Sequence, residues 1–268
     1  MMRSYHVPSV ERAFTVMDEI GLSPKGLSLM DITEKTGYAK TTVFMLLTVL
    51  ERIGALRQVE GHYFLGGHLA ALGGQALQRL DLRSVADPVM RDLSHKTGFT
   101  THLGVLEKCQ VIFVGKVEHE GFIRFSSYVG LSQPFHVSSL GKAIAAFLPE
   151  ERTTELLLCP LERRTRYTIT EPSALQQALH VIRHQGYAVE DEEEAEGVRC
   201  IGAPIFDHNG AVSGAVSVTA VRAELPVEAF SEVSRMVIEA GHEISQALGA
   251  IVQGVSLTQI RDQGSGKT

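Results

Sequence analysis

Three residues that suit the binding of phosphate groups follow one another at Lys40-Thr41-Thr42, at the start of a segment with helical periodicity. An ammonium group and hydroxyl groups donate hydrogen bonds to phosphate oxygens, and such contacts position a protein on a nucleic-acid duplex. At about 100° of rotation per residue, further polar and flexible side chains share one face of this helix. The members of that predicted outward face are Thr41, Met45, Thr48 and Arg52. We expect this face to enter a major groove.

The other side of the same helix is apolar and is expected to pack against its own domain. Its members, at helical spacing, are Ala39, Val43, Leu46, Leu47 and Leu50. A shorter helix precedes it, with Ser28 as a suitable N-cap, Asp31 in the first turn and Gly37 as a C-terminal stop. Further upstream, Ser9 is expected to cap a first helix that closes the small core. This order predicts a helix-turn-helix.

A predicted hairpin follows the helix-turn-helix. The segments Leu56–Val59 and His62–Leu65 alternate in polarity around Glu60-Gly61, where glycine supplies a positive φ. A wing of this kind places Arg57 or His62 near a phosphate or a minor groove. We therefore predict a winged helix-turn-helix DNA-binding domain over residues 1–66. Its candidate DNA contacts are Lys40, Thr41, Thr42, Phe44, Met45, Thr48, Arg52, Arg57 and His62.

The charged residues of this segment give it no net positive charge. Residues 1–70 hold seven Lys or Arg and seven Asp or Glu, so the remaining residues carry the whole net charge of −6. Nucleic-acid-binding domains usually show a basic surface. DNA affinity would then come from a few placed contacts, doubled by dimerisation. The alternative is a helix-turn-helix that contacts another protein instead of DNA.

The composition of the whole chain narrows its class. A length of 268 residues suits two domains, and the chain has no run of about 18 apolar residues that could span a bilayer. The first residues have no apolar core of signal-peptide length, so we expect a cytoplasmic protein. The three cysteines lack a CxxC spacing, which predicts neither a disulfide framework nor a zinc site. His180 and His184 are expected to be exposed polar residues, not metal ligands.

The second part of the chain mixes strands and helices. A linker helix is expected over residues 67–82, and from Ser84 a helix runs to Gly98. Helices are also predicted from Ser138 or Ser139, from Pro149, from Pro172 and from Pro226. Strands are predicted at 101–106, 111–117, 123–127, 187–190, 200–206 and 211–219. Strands joined by hairpins, with helices at both ends, indicate an α+β domain around an antiparallel sheet. We assign it residues 83–250, followed by a flexible tail at 251–268.

The complete order resembles the IclR family of bacterial transcription regulators over about residues 7–249. The resemblance rests on short segments whose joint order and spacing match. In the first domain they are Val10-Glu11-Arg12-Ala13, Gly37-Tyr38-Ala39-Lys40-Thr41-Thr42-Val43 and Tyr63-Phe64-Leu65-Gly66. In the second they are Gly130, Pro134-Phe135-His136, Leu140-Gly141-Lys142-Ala143, Tyr167-Thr168-Ile169-Thr170, Gly186-Tyr187-Ala188, Gly197-Val198-Arg199-Cys200-Ile201 and Ser217-Val218-Thr219.

The resemblance implies a linker helix and a GAF-like domain that binds a small effector. It further implies dimers, or tetramers built as pairs of dimers, and effectors such as organic acids of carbon catabolism. The residues it implies for the effector pocket are Phe125, Ser139, Leu140, Glu190 or Asp191, Cys200, Ser217 and Thr219.

The chemistry of these positions can be weighed without the resemblance. Ser217 and Thr219 are two apart on a predicted strand, so both face one side and can donate to a carboxylate or keto oxygen. The alternative is ordinary strand surface, and for Cys200 it is core packing. The acidic run at 190–196 is typical of a solvated loop. One or two of its members could still meet an effector at the strand end.

The sequence departs from the family in the groove-facing helix. Many relatives carry His or Arg where this chain has Phe44 and Met45. With two apolar residues at these positions, the helix lacks a guanidinium group there that could hydrogen-bond to guanine. Phe44 could simply pack at the domain edge. The sharper hypothesis is that Met45 touches thymine methyl groups and favours an A·T-rich half-site.

Two enzyme-like features are weak. The end of the chain, Gly264-Ser265-Gly266-Lys267-Thr268, resembles part of a phosphate-binding loop, but no helix follows it. Cys200 and His136 could act as nucleophile and base only if the fold brought them together with a third, orienting group. We therefore predict that the chain is not an enzyme and needs no metal or cofactor.

The sequence as a whole predicts a ligand-responsive DNA-binding regulator, a homodimer or a dimer of dimers. Repression is favoured over activation. The expected partners are a double-stranded DNA operator and a small organic acid or sugar acid, for which a hydroxy or keto acid is the first choice. An aromatic acid is the second, because Phe125, Tyr128 and Phe135 could stack on a ring. The alternative is a small-molecule sensor that uses its helix-turn-helix for protein contacts.

Overall fold

The computed structural model describes residues 6–77, 81–121 and 124–250. Contacts divide the chain into two compact units, Met1–Leu80 and Asp81–Thr268. The predicted tail at 251–268 and the last residues of the predicted linker before Asp81 lie outside the described residues. The predicted domain boundaries stay predictions, and each unit is described by itself.

The first unit combines helices with a small antiparallel sheet whose strand order is β1-β3-β2. Its helices are α1 (Pro8–Gly21), α2 (Leu29–Thr36), α3 (Lys40–Arg52) and α4 (Gly67–Leu77). Its strands are β1 (Leu27–Ser28), β2 (Leu56–Val59) and β3 (His62–Leu65). The core joins the apolar sides of α1, α2 and α3, with Val16, Ile32 and Leu47 fully buried.

Local capping chemistry sets the limits of α2. The Ser28 hydroxyl accepts from the backbone N–H of Asp31, and the Asp31 carboxylate accepts from the backbone N–H of Ser28 at 2.9 Å. This capping box satisfies two amide groups that have no partner within the helix. Gly37 ends the helix at φ 68°. The predicted cap and stop are confirmed, but the cap predicted at Ser9 is wrong: α1 begins at Pro8, whose fixed φ suits a first turn.

The wing forms where it was predicted. Residues 56–59 pair with residues 62–65, and both turn residues have positive φ, 50° at Glu60 and 80° at Gly61. Two positive φ angles in succession match the right-handed twist of the two strands. β1, which the sequence did not predict, adds to the outer edge of β3.

The second unit is built on one six-stranded sheet with strand order β6-β5-β4-β9-β8-β7. Its strands are β4 (Thr100–Glu107), β5 (Gln110–Val117), β6 (Ser132–Pro134), β7 (Ala188–Asp191), β8 (Val198–Phe206) and β9 (Val212–Val221). Its helices are α5 (Leu82–Thr97), α6 (Ser139–Ala145), α7 (Glu150–Leu157), α8 (Pro172–Gln185) and α9 (Phe230–Ala247). All neighbouring strands are antiparallel. The predicted α+β class is correct.

Helices cover both faces of this sheet, and the side chains of β9 alternate between these two faces. Val216 and Val218 point into a core shared with α5 and α9. Ala215 points to the other side, into the core of α6 and α8. Because side chains alternate along a strand, Ser217 and Thr219 lie on the α6 side.

Two predictions for this unit were wrong. Residues 124–127 are not a strand, and the edge strand lies instead at Ser132–Pro134. Cys109 and Cys159 form a disulfide, although the sequence predicted none. The two cysteines are 50 residues apart in sequence, so their pairing depends on the fold bringing the β4–β5 turn close to the segment that follows α7.

Candidate functional site

α3 exposes the side chains that were predicted to contact DNA. Phe44 is 58% exposed and Met45 is 60% exposed. Lys40, Thr41, Thr48 and Arg52 are exposed as well, while Thr42 is half-buried. The surface of α3 that faces away from its own core is thus the predicted one.

The buried side of α3 is narrower than predicted. Val43, Leu47 and Leu50 are buried, but Leu46 is only half-buried. Ala39 is exposed because it occupies the N-cap position, before the helix proper begins.

The wing presents its two predicted contact residues on the surface. The guanidinium of Arg57 lies 4.9 Å from the centre of the Phe64 ring. Stacking of this kind orders the side chain and leaves the N–H edge free to donate. Nδ1 of His62 lies 3.2 Å from the carbonyl oxygen of Glu60, within the turn.

In the second unit, strand register brings most of the predicted effector residues onto the α6 face. Directly paired residues of an antiparallel sheet point to the same side. Glu190 pairs with Cys200, and Cys200 pairs with Thr219. Ser217 pairs with Gly202 on one side and with His102 on the other.

A row of hydrogen-bonding side chains crosses this face, which we call the polar row (Cys200, Thr219, His102 and Ser127). Cys200 Sγ lies 3.3 Å from Thr219 Oγ1, and Thr219 Oγ1 lies 3.2 Å from His102 Nδ1. His102 Nε2 lies 2.8 Å from Ser127 Oγ. The row links the centre of the sheet to the segment at 124–131.

Burial keeps the polar row neutral. Burial, with a smaller contribution from the Lys116 ammonium, lowers the pKa of His102 to about 3. The imidazole is therefore uncharged at neutral pH and both donates and accepts a hydrogen bond. Burial raises the pKa of the Cys200 thiol well above its ordinary value, so the sulfur stays protonated.

The start of helix α6 contacts the sheet at Gly202. A Cβ at this position would lie 3.0 Å from the carbonyl carbon of Ser139, so any larger residue would press on the start of α6. Ser139 and Ser217 therefore flank the same point. Each is only 2% exposed. Leu140, next to Ser139, is buried in the core below.

A buried ionic cluster borders the polar row at β7. Lys142 Nζ donates to the Val189 carbonyl oxygen at 2.8 Å and forms an ion pair with Glu193. Glu190 Oε1 accepts from the backbone N–H groups of Glu193 at 2.6 Å and Glu194 at 3.1 Å. Burial nevertheless raises the pKa of Glu190 to about 7.

Asp191 lies apart from the other predicted effector residues. It pairs with Arg199 in the sheet, on the face opposite to Glu190 and Cys200. Its carboxylate accepts two hydrogen bonds from the Arg199 guanidinium, at 2.6 Å and 3.3 Å. Asp191 therefore holds the edge strand β7 against β8.

Phe125 lines a small cavity together with Thr219. The volume is about 70 Å³, and the other lining residues are Gly98, Phe99, Thr100, His119, Gly121 and Glu224. A wider open groove of about 630 Å³ lies on the opposite side, near Arg199 and Arg222. Both guanidiniums there are already paired with carboxylates. We place the candidate site at the polar row, where several hydrogen-bonding side chains share one face of the sheet.

Comparison with known proteins matches both units. Residues 9–60 match the IclR helix-turn-helix domain, and residues 74–246 match the family described as bacterial transcriptional regulator IclR C-terminal. The chain belongs to the IclR family. The transcriptional repressor IclR of Escherichia coli K12 is 31% identical over 250 residues, 91% of each chain.

Other relatives agree with this assignment. The acetate operon repressor of Salmonella typhimurium LT2 is 31% identical, covering 91% of this chain and 90% of its own. A solved IclR-type regulator from Silicibacter sp. TM1040 superimposes with a TM-score of 0.85 at 26% identity, covering 91% and 97% of the two chains. This IclR-family chain is thus a DNA-binding transcriptional regulator, and its relatives are not enzymes.

The geometry of the two enzyme-like residues agrees with that classification. Cys200 Sγ contacts Thr219, whereas His136 Nε2 lies 3.1 Å from the carbonyl oxygen of Glu162. The two residues have separate partners and form no nucleophile–base pair. The sequence Gly264–Thr268 lies outside the described residues.

Metal clusters and membrane spans are both missing from the described ranges. Residues 6–77, 81–121 and 124–250 contain no group of three or more His, Cys, Asp or Glu placed to hold a metal ion. None of the helices described there combines the length and apolarity that a membrane span requires. His180 and His184 are exposed on α8, as predicted.

Three residues of the candidate site escaped prediction in this IclR-family chain: His102, Lys116 and Ser127. Lys116 Nζ donates to the carbonyl oxygens of Phe125 at 2.9 Å and Ser127 at 2.6 Å, and so holds the 124–131 segment. A hint was present, because His102 is a polar residue in an otherwise apolar strand pattern from Thr101 to Leu106.

Proposed function

We propose that this regulator is a repressor whose DNA affinity is controlled by a small hydroxy acid, keto acid or sugar acid bound at the polar row. The observation that supports the proposal is the polar row on the α6 face, with the buried side chains of Ser139 and Ser217 close to it. Hydroxyl, imidazole and thiol groups gathered on one face can donate several hydrogen bonds to a ligand with acceptor oxygens.

The chemistry around these serines suits a small oxygen-rich molecule. Hydroxyls donate to a carboxylate or keto oxygen, and the neutral His102 keeps the row from carrying a fixed charge. The proposed contacts are Phe125, Ser139, Leu140, Glu190, Cys200, Ser217 and Thr219. Asp191, whose carboxylate is paired with Arg199, acts on the ligand only through the position of β7.

An aromatic acid is a weaker second choice for the effector. Phe135 is fully buried in the core and Tyr128 is exposed, so of the three aromatic residues Phe125 remains to stack on a ring. The cavity of about 70 Å³ beside Phe125 and Thr219 also suits a small molecule. One relative is named for an operon of acetate, a small organic acid.

Control of DNA binding is proposed to follow from a shift between two arrangements of a homodimer or a dimer of dimers. Two recognition helices meet the half-sites of a palindromic operator, with contacts from Lys40, Thr41, Thr42, Phe44, Met45, Thr48, Arg52, Arg57 and His62. An effector that binds one arrangement more tightly shifts the population toward it. Repression is favoured because the similar proteins of Escherichia coli and Salmonella are named repressors.

The experiment has two stages. A thermal-shift screen of hydroxy, keto, sugar and aromatic acids identifies a ligand, because a ligand selective for the folded state raises its melting temperature. A gel shift on DNA from upstream of the gene then measures affinity with and without that ligand. Ser217→Ala should lose most of the ligand response and keep normal affinity for DNA in its absence.

Ser234→Ala is the matched control, because Ser234 is equally buried but lies on α9, on the other side of the sheet. An unchanged response in Ser217→Ala would remove Ser217 from the proposed effector pocket. DNA binding should also weaken steeply with salt, because phosphate contacts release counterions. Failure to bind any duplex at low ionic strength would favour a sensor that uses its helix-turn-helix for protein contacts.

A further inference from the structure

The middle of α3 contains none of the side chains that read guanine, adenine or cytosine by hydrogen bonding. Between Lys40 and Arg52 there is no Arg, Lys, His, Asn, Gln or Asp, and the one acid, Glu51, directly precedes Arg52. Guanine is usually read by Arg or Lys, adenine by Asn or Gln, and cytosine by Asp or Glu. Thymine, which offers its C5 methyl group for apolar contact, is the base that this surface suits best.

The groups exposed there are apolar. Phe44 and Met45 are 58% and 60% exposed, and Val49 beside them is 45% exposed. Contiguous apolar groups on a surface mark an interaction site more often than isolated ones do. Their partner must therefore supply apolar contacts.

Thr48 adds to this apolar surface in spite of its hydroxyl. Its Oγ1 donates to the backbone carbonyl oxygen of Phe44 at 2.8 Å, one turn earlier on the same helix. The hydroxyl hydrogen is thereby used within α3. The methyl group of Thr48 is then available for an apolar contact.

The positively charged side chains at both ends of α3 suit a DNA duplex as the partner of this surface. Lys40 and Arg52 are exposed and stand 12 positions apart, about 18 Å along a helix that rises 1.5 Å per residue. A major groove is about 12 Å wide and is bordered by phosphates. One cation at each end can thus meet phosphates while the apolar centre faces base edges.

We propose that α3 recognises thymine through its C5 methyl group, which contacts Met45, Phe44 and the methyl group of Thr48. The inference rests on the proposed binding of this helix in a major groove. It makes Met45 a specificity-determining residue, because it lies at the centre of the exposed face. The preferred half-site is rich in thymine at the two or three steps that this helix covers.

The test uses duplexes selected from a random DNA library by the full-length protein. Each selected duplex is rebuilt with deoxyuridine in place of thymidine, which removes the C5 methyl group and keeps the base pairing. Affinity should fall about fourfold for each contacted methyl, the factor expected for burial of one methyl-sized group. Replacing a non-contacted cytosine by 5-methylcytosine should have no effect.

Two variants separate recognition from general weakening. Met45→Ala should bind thymidine and deoxyuridine duplexes with nearly equal affinity, because the shortened side chain no longer reaches the methyl group. Met30→Ala is the matched control: Met30 is also 60% exposed but lies on α2, so the thymidine preference should persist. Selection of guanine-rich sites, or equal affinity of the parent protein for both duplexes, would overturn the inference. Absence of any selected duplex would instead count against the proposed function.

Discussion

The imidazole Nδ1 of His102 lies 3.2 Å from Thr219 Oγ1, and this contact joins β4 to β9 inside the sheet. On its other side the ring reaches Ser127, so one neutral side chain connects the sheet centre to the segment at 124–131. A change of hydrogen bonding at Thr219 can thereby be passed to that segment. The contact gives the candidate effector site its connection to the rest of the unit.

Replacing His102 tests this connection. His102→Leu removes both hydrogen bonds and leaves Ser127 without a ring partner, which should lower the free energy of unfolding by about 1–3 kcal/mol. Urea titration measures the decrease. Thr219→Val and the double variant complete a double-mutant cycle. If the two single changes in unfolding free energy simply add in the double variant, His102 and Thr219 are not coupled.

The same histidine gives a pH dependence with a defined sign. Its pKa is about 3 when folded against 6.5 in the unfolded chain, so the unfolded state binds the extra proton between these values. Stability should fall below pH 6.5, by up to about 1.4 kcal/mol per pH unit from this group. The difference in pH slope between parent and His102→Leu isolates the contribution of His102. Equal slopes would show that folding does not lower the pKa of the ring.

Glu190 should act in the opposite direction. Its folded pKa of about 7 lies above the ordinary 4.5, so its favourable contribution is complete below pH 4.5 and disappears as pH rises through 7. Glu190→Gln keeps an oxygen to accept from Glu193 and Glu194 and never ionises. The variant should melt at a higher temperature than the parent at pH 8 and show a smaller advantage at pH 5. A lower melting temperature at pH 8 would mean that the carboxylate is stabilised by Lys142.

The disulfide between Cys109 and Cys159 should be detectable by thiol counting. Denatured protein should show one reactive thiol, Cys200, before reduction and three after it. Crosslinking a loop of this length stabilises a folded chain by about 4 kcal/mol in the chain-entropy model. Reduction should therefore lower the melting temperature of the parent and leave Cys109→Ser unchanged. Three thiols without reductant would show that the bond does not form.

Arg57 should contribute to DNA affinity without contributing to sequence choice. Arg57→Ala removes one cation per wing, so affinity should fall equally on different duplexes, and the salt slope should decrease by about one for each phosphate that the wing no longer neutralises. Arg166→Ala is a matched control, because Arg166 also stacks on an aromatic ring, that of Tyr167, but in the second unit. A change in the preferred sequence would instead assign Arg57 to base recognition.

Signals that act over a few residues were readable from the sequence. The Ser28 cap, the Gly37 stop and the Glu60-Gly61 turn depend on neighbours in the chain, and all three occur as predicted. Strand alternation likewise placed Ser217 and Thr219 on one face. These features follow from local backbone geometry, which sequence spacing encodes directly.

Features that depend on contacts between distant segments could not be predicted from the sequence. His102 joins the candidate site because β4 lies beside β9, more than 100 positions later in the chain. The choice between Glu190 and Asp191 depended on the register of β7 against β8, which alternation alone leaves open by one residue. The disulfide depended on the placement of α7. In each case the missing information was which segments lie next to each other in the fold, and residue types alone do not give it.

The backbone approach at Gly202 also limits how the candidate site can adapt to molecules of different size. With no side chain between β8 and the start of α6, helix and sheet backbones lie close together there and leave little room for a guest on that side. Any accommodation of a bulkier guest must come from the opposite side, where residues 124–131 are anchored by the Lys116 ammonium. The chemical selectivity of this candidate site should therefore respond to substitutions in residues 124–131 more than to substitutions in the sheet.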